Sequence, residues 1–293
     1  MQDQVSNFLI QLLQAGNNSK GLNWLEKQTQ KISSEPVPAK LFLAFSQASR
    51  FFKKEKLELS VKQLEQADQL CSGFEPNFWD ELQTARAVLL LSYKAEKETW
   101  FKTVNQLFET ADMYEHQALF AALPVLPFQE DLIPRAIDGL RTNISLVFDA
   151  IALNNPFPAK YFPEANWNQM ILKAIFMQRP LYKVQGLEER RNPDLAAIAR
   201  DFAHERWAAG RDVMPEIWRL VAPFVDEMFM SDLQKALESQ DELQMKAVLL
   251  ALRESAYGPA EKQLEQFPEL VAKLDMEAKA WKSIGEEFQQ TRV

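Results

Sequence analysis

The chain has 293 residues, 47% hydrophobic, 25% charged and 11% aromatic, which gives enough apolar side chain for one large core or two modest ones and excludes extended disorder. Its eight glycines, at 16, 21, 73, 139, 186, 210, 258 and 285, never form G-x-G, and neither the dinucleotide fingerprint nor the Walker A loop is present. Lys and Arg total 33 against 41 Asp and Glu, and the net charge of −8 disfavours a broad phosphate-binding surface, so nucleic acid is not an expected partner.

Apolar residues in the first half recur at helical spacing. The sets are Val5, Phe8, Leu9, Leu12 and Leu13; Leu41, Phe42, Phe45, Ala48 and Phe52; Leu57, Val61, Leu64 and Cys71; Phe78, Leu82, Ala85, Leu89 and Tyr93; and Trp100, Val104, Leu107, Phe108 and Ala111. Stop signals at Ser33-Ser34-Glu35-Pro36, Ser72-Gly73 and Glu75-Pro76 separate them. Starts near residues 3, 21, 37, 57, 76 and 97 make helix pairs recur about every 35 to 40 residues, the period of stacked helical repeats. The tetratricopeptide signature is missing, so a TPR- or HEAT-like stack and an irregular bundle are both open. Prolines 124, 127 and 134 shorten the helices that follow, and a helix from Ile144 to Leu153 ends at Asn154-Asn155-Pro156. The aromatic, proline-rich Phe157 to Pro163 reads as an ordered connection packed on the body.

Further helices are expected over Glu164–Met177, Pro193–Ala209 with Gly210 as its stop, Pro215–Val221, Val225–Glu238, Glu242–Glu254, Glu261–Lys273 and Met276–Phe288, with a frayed tail from Glu286. The expected fold is therefore all-α, an antiparallel helical array with stacked helices over 1–153 and an irregular helical region over 164–293, together one continuous unit. The most apolar stretch, Ala118 to Phe128, is too short to cross a membrane. The lone Cys71 and the absence of a basic leader after Met1 predict a reducing, cytoplasmic setting, and Cys71 reads as a core cysteine.

Little of the sequence suits metal or nucleophile chemistry. The two histidines, His116 and His204, exclude a three-histidine zinc site, and His204-Glu205 fails as H-E-x-x-H because residue 208 is alanine. Asp201 and His204 have the spacing of half a di-iron motif, but Met113 stands where the His116 half-site needs a carboxylate. No metal and no cofactor is expected. The densest polar segment is the helix after Pro193. There Arg200, His204, Trp207 and Arg211 fall at i, i+4, i+7 and i+11 if helicity reaches Arg211, with Asp201, Glu205 and Ala208 on the neighbouring stripe. Such a face can bind an anionic aromatic metabolite or a partner helix, or simply form a structural ion network.

The run Met170 to Phe176, Arg179-Pro180-Leu181-Tyr182, Gly186 to Pro193, Asp201-Phe202-Ala203-His204-Glu205-Arg206-Trp207-Ala208-Ala209-Gly210-Arg211 and Pro215-Glu216-Ile217-Trp218-Arg219 resembles the EboA-type metabolite-traffic proteins. The resemblance implies a mostly helical protein whose genes accompany a membrane prenyltransferase-like protein and hydrolase- or isomerase-like proteins. In cyanobacteria such clusters are linked with export or trafficking of secondary-metabolite precursors. It supplies no catalytic residues, and marks Arg190, Asp201, His204, Glu205, Arg206, Gly210, Arg211 and Arg219 as important. The expected function is a non-catalytic trafficking, export or assembly factor, cytoplasmic and reaching a membrane through partners from its own cluster, with a small metabolite as a further partner. Its expected ligand or partner residues are Arg190, Arg200, Asp201, His204, Glu205, Arg206, Trp207, Arg211 and Arg219. One alternative is an enzyme acting on a small anionic or prenylated metabolite, with His204 as acid or base and Arg206, Arg211 or Arg219 stabilising negative charge. The other is a helical docking scaffold without a small ligand.

Overall fold

A helix buried on most of its surface has to be surrounded by others. In the computed structural model, which describes residues 2–239, 241–275 and 279–291, the chain divides into two compact units, 1–162 and 163–293, each built around such a helix. Both are helical and largely antiparallel, and among the described residues the only extended pairing is the isolated bridge between Lys56 and Asp80.

The first unit runs through α1 (Gln2–Gln14), α2 (Ser19–Ser34), α3 (Pro38–Gln47), α4 (Val61–Leu70), α5 (Glu81–Ser92), α6 (Lys97–Thr110), α7 (Met113–Ala121), α8 (Ile133–Gly139), α9 (Ser145–Ala152) and α10 (Phe157–Tyr161). Every residue of α5 from Leu82 to Ser92 is buried, and α1, α2, α3 and α7 pack around it. Its start is written in the sequence as a reciprocal cap: Asp80 Oδ1 accepts the Gln83 N–H at 2.7 Å while Gln83 Oε1 accepts the Asp80 N–H at 3.0 Å. The same device opens α4 with Ser60 and Gln63, and α7 with Asp112 and Glu115.

Two expected boundaries are corrected. The helix expected near residue 57 begins at Val61, because the segment before it is held extended: Leu57 N–H donates to the Trp79 carbonyl at 3.1 Å and Glu81 N–H to that of Glu55 at 3.0 Å. Val61 is 73% exposed and belongs to no apolar face. The helix expected near 76 is a single 3-10 turn over Pro76–Phe78, and α5 follows it. Cys71, expected in the core, is half-buried at its edge with Sγ 3.4 Å from the Pro124 carbonyl, and burial pushes its thiol up. Asn154, left-handed at φ 51°, ends α9, and buried Asn155 turns the chain by donating to the carbonyls of Phe120 and Ala150 and accepting the Phe157 N–H. Phe157 and Phe162 are then buried, so this connection packs as expected.

The second unit contains α11 (Glu164–Phe176), α12 (Pro193–Ala208), α13 (Trp218–Val221), α14 (Glu227–Leu237), α15 (Glu242–Glu254), α16 (Pro259–Leu264), α17 (Pro268–Asp275) and α18 (Ala280–Gln290). Here α15 is the enclosed element, with α13, α14, α16, α17 and α18 against it. The single helix expected over 261–273 is two, because Pro268 cannot continue α16 and instead opens α17. Part of the helix expected from Met276 lies outside the described residues. The expected fraying from Glu286 to Val293 is not found among the described residues, while 292 and 293 lie outside them: α18 stays helical to Gln290, Phe288 is buried, and Gln289 Nε2 donates to the Gln178 carbonyl at 3.1 Å. Among the described residues no helix is long and apolar enough to cross a membrane.

At the end of α8 a Cβ on Gly139 would stand 2.3 Å from Phe120 Cζ and 2.9 Å from Ile151 Cδ1. Gly139→Ala therefore has to displace a buried ring, and urea unfolding should show a loss of about 1–3 kcal/mol.

Candidate functional site

α12 is delimited at both ends by its own sequence. Asn192 Oδ1 accepts the Leu195 N–H at 2.9 Å and Pro193 occupies the first turn. At the other end Gly210 adopts φ +64°, its N–H donates to the Trp207 carbonyl at 3.0 Å, and the Arg211 N–H reaches back to that of Arg206 at 2.9 Å. The helix stops there, so Arg211 lies beyond it, exposed, and does not extend the stripe of Arg200, His204 and Trp207 as expected.

Those three residues do share one face, and two of them, Arg200 and His204, converge on an acid of another helix. Asp232 of α14, a buried carboxylate, accepts from Arg200 Nε at 2.5 Å through Oδ2 and from His204 Nε2 at 2.7 Å through Oδ1. The bond fixes the proton on His204 Nε2 and leaves Nδ1 as the polar atom of a ring that is 46% exposed. Trp207 is half-buried, its ring 5.5 Å from that of His204 and 5.8 Å from that of Trp218, with Lys235 Nζ 4.4 Å above it. Arg206 caps the helix end by donating to the Asp212 carbonyl at 2.9 Å. Asp201 and Glu205 are exposed on the neighbouring stripe, where Asp194, Asp201, Ala197 and Ile198 of α12 and Ala165, Gln169 and Leu172 of α11 line an open cleft of about 470 Å³.

Arg190 and Arg219 stand elsewhere. Arg190 lies over the buried Trp167 ring at 4.7 Å, and burial pulls its guanidinium down. Arg219 pairs closely with Glu188, and its carbonyl accepts from Arg191 Nη1 at 3.0 Å; Arg191 in turn pairs with Glu254, whose other oxygen accepts the Trp281 indole N–H at 2.6 Å. Beneath Arg219, 4.0 Å from its Nη1, is Glu216, which is wholly buried and accepts the N–H groups of Leu181 at 3.1 Å and Tyr182 at 2.6 Å. Burial pushes this carboxyl up to about 7, against the pull of Arg219 and the two N–H donors, while Glu188 adds to the rise. α18 seals it: a Cβ on Gly285 would stand 2.8 Å from the carboxylate and 2.3 Å from the Tyr182 ring.

The stripe on α12 thus gathers Arg200, His204 and Trp207, and leaves Arg190, Arg211 and Arg219 apart. Sequence periodicity missed Asp232 and Glu216. Signals for both exist: Asp232 falls on the inward face of α14 with Leu233 and Ala236, and Glu216 is the lone charge in the run Val213 to Trp218.

The family described as metabolite traffic protein EboA matches residues 5–222. The chain belongs to the EboA family. The matched region contains all of α12 and Glu216, and ends before Asp232, so the EboA segment of this chain meets its acid on α14, past the match. No curated protein and no solved structure matches the chain.

Because Asp232 accepts from two donors, a double-mutant cycle of Arg200→Ala with Asp232→Ala should give a coupling of about 1–3 kcal/mol, and Asp232→Ala alone should cost more than Arg200→Ala because it removes the acceptor of both. Glu216 makes stability depend on pH with a definite sign. Between its ordinary value of 4.5 and about 7 the unfolded chain has lost a proton that the folded chain keeps, so stability falls as pH rises through this window and is level above it. The stability advantage of wild type over Glu216→Gln should shrink from pH 4.5 to 7 by on the order of 3 kcal/mol in urea titrations.

Proposed function

We propose that this EboA protein is a non-catalytic trafficking, export or assembly factor for a secondary-metabolite precursor. It works in the cytoplasm with proteins of its own metabolite-traffic cluster and meets the membrane through a prenyltransferase-like partner. The observation that carries this reading is the internal consumption of charge around α12: Asp232 takes both Arg200 and His204, and Arg219 is paired with Glu188. A catalytic site stabilising a developing anion holds its cations ready for the substrate. Here Arg200 and His204 hold α12 to α14 and Arg219 is held by Glu188, and what faces outward is Trp207 under Lys235, suited to contact rather than turnover.

The purified protein, given a pathway intermediate, should return it unchanged while its tryptophan fluorescence shifts saturably, and Trp207→Phe should remove most of the shift. An untagged cluster protein should co-purify with the tagged chain. Turnover of the intermediate by the protein alone, lost in a His204→Ala variant that keeps its helicity, would replace this function with the enzymatic one.

A further inference from the structure

The first unit holds a second, unassigned cleft of about 220 Å³ that involves none of the residues discussed for α12; Phe108, His116, Phe120, Arg135, Ile144 and Val147 form most of its wall. Its back is aromatic. Phe108 and Phe120 are each 3% exposed with ring centroids 4.9 Å apart, and the absence of a side chain at Gly139 lets Phe120 lie flat against α8. Two nitrogenous groups are laid on that wall. The His116 ring stacks on Phe120 at 5.9 Å and 15°, and Nε2 donates to the Phe108 carbonyl at 2.8 Å, which leaves Nδ1 as its remaining polar atom. The Arg135 guanidinium lies 5.4 Å over the Phe108 ring, and its Nε and Nη2 both donate to Asn105 Oδ1, at 3.3 and 3.0 Å.

The Asn105 contact orients the guanidinium without cancelling its charge. Among the described residues Arg135 pairs with no carboxylate, and both bonds to Asn105 are made from its Nε/Nη2 side, which leaves Nη1 and the second Nη2 hydrogen as the outer fork. A half-buried, oriented arginine with a free fork is the group that recognises a planar oxyanion. Size narrows the class. A cleft of about 220 Å³ has room for one aromatic ring against the Phe108 and Phe120 wall. Charge narrows it further. Asp138 also lines the cleft, turned outward to Arg141 at 3.6 Å with its side chain 60% exposed, and this acid at the mouth disfavours a dianion such as phosphate.

We propose that this cleft binds a small single-ring carboxylate, its carboxylate on the outer edge of Arg135 and its ring against Phe108 and Phe120. The site rests on the first unit alone and stands or falls independently of the role of α12.

The chain has only two histidines, so imidazole NMR signals report the test directly, with His204 as an internal control. Titration of the full chain with benzoate should shift His116 saturably with a millimolar Kd and leave His204 unmoved. Benzamide and inorganic phosphate should bind about tenfold more weakly or worse, and Arg135→Gln should weaken benzoate about tenfold. Should Arg135→Gln lose its helical circular dichroism, Ile144→Trp takes its place: residue 144 is 46% exposed, and the larger ring should fill the cleft and abolish the His116 shift without unfolding the chain. An unsaturable or absent His116 shift would overturn the proposal. So would benzamide or phosphate binding as tightly as benzoate, or benzoate binding unchanged in the folded variant.

Discussion

A helix enclosed on most of its surface must find protein partners for the polar groups on its buried sides, and this constraint shapes both units. In the first, Arg86 sits in the middle of α5 at 2% exposure. Its Nε donates to the Phe45 carbonyl at 3.2 Å, its Nη2 meets Glu115 at 3.4 Å, and its guanidinium lies 5.1 Å from the Phe45 ring. α3 and α7 are thereby tied to the axis by a charge that costs several kcal/mol to strand. In the second, Gln244 on α15 accepts the Trp218 indole N–H at 2.9 Å and donates to the Val213 carbonyl, which fixes the approach to α13. The surrounding helices are arranged by the needs of two buried side chains as well as by apolar area.

Much of this fold was legible because most helices are half-wet. A stripe such as Val5, Phe8, Leu9, Leu12 and Leu13 on α1 has one physical explanation, and all five of these residues are buried. The capping pairs Ser60–Gln63, Asp80–Gln83 and Asp112–Glu115 are present as spacings too, and they mark the starts of α4, α5 and α7. What misled was apolar content without regard to backbone. Leu57 and Val61 continue a helical period, yet the bonds from Leu57 to Trp79 and from Glu81 to Glu55 join two segments some twenty residues apart, and no local pattern encodes that. At Pro268 the local signal is plain, a proline that opens a new helix, and it prevails over an apolar period that runs through it.

The candidate site divides along the same line. Arg200, His204 and Trp207 share a face because a helix puts i, i+4 and i+7 together, so their meeting could be read directly. The common partner of Arg200 and His204 could not. Asp232 is on another helix, and only the packing of α14 against the unit decides that it, rather than the exposed Asp201 or Glu205, becomes the acceptor. Arg211 was lost from the stripe for a backbone reason, the left-handed turn at Gly210.

The position of Gly285 against Glu216 bears on how the second unit is made. Chains emerge and fold from the N-terminal side, and the first unit holds its axis, α5, within its own early helices. The second unit is closed by its last helix, α18. The carboxyl of Glu216 can bind the N–H groups of Leu181 and Tyr182 early, but it leaves water only when α18 arrives with a residue lacking a side chain. Until then a nascent chain carries a hydrated acid in a half-built interior. Any ribosome-bound or C-terminally shortened form missing α18 would expose the surface that buries Trp281, Ile284 and Phe288, and would present itself to chaperones and proteases as unfinished.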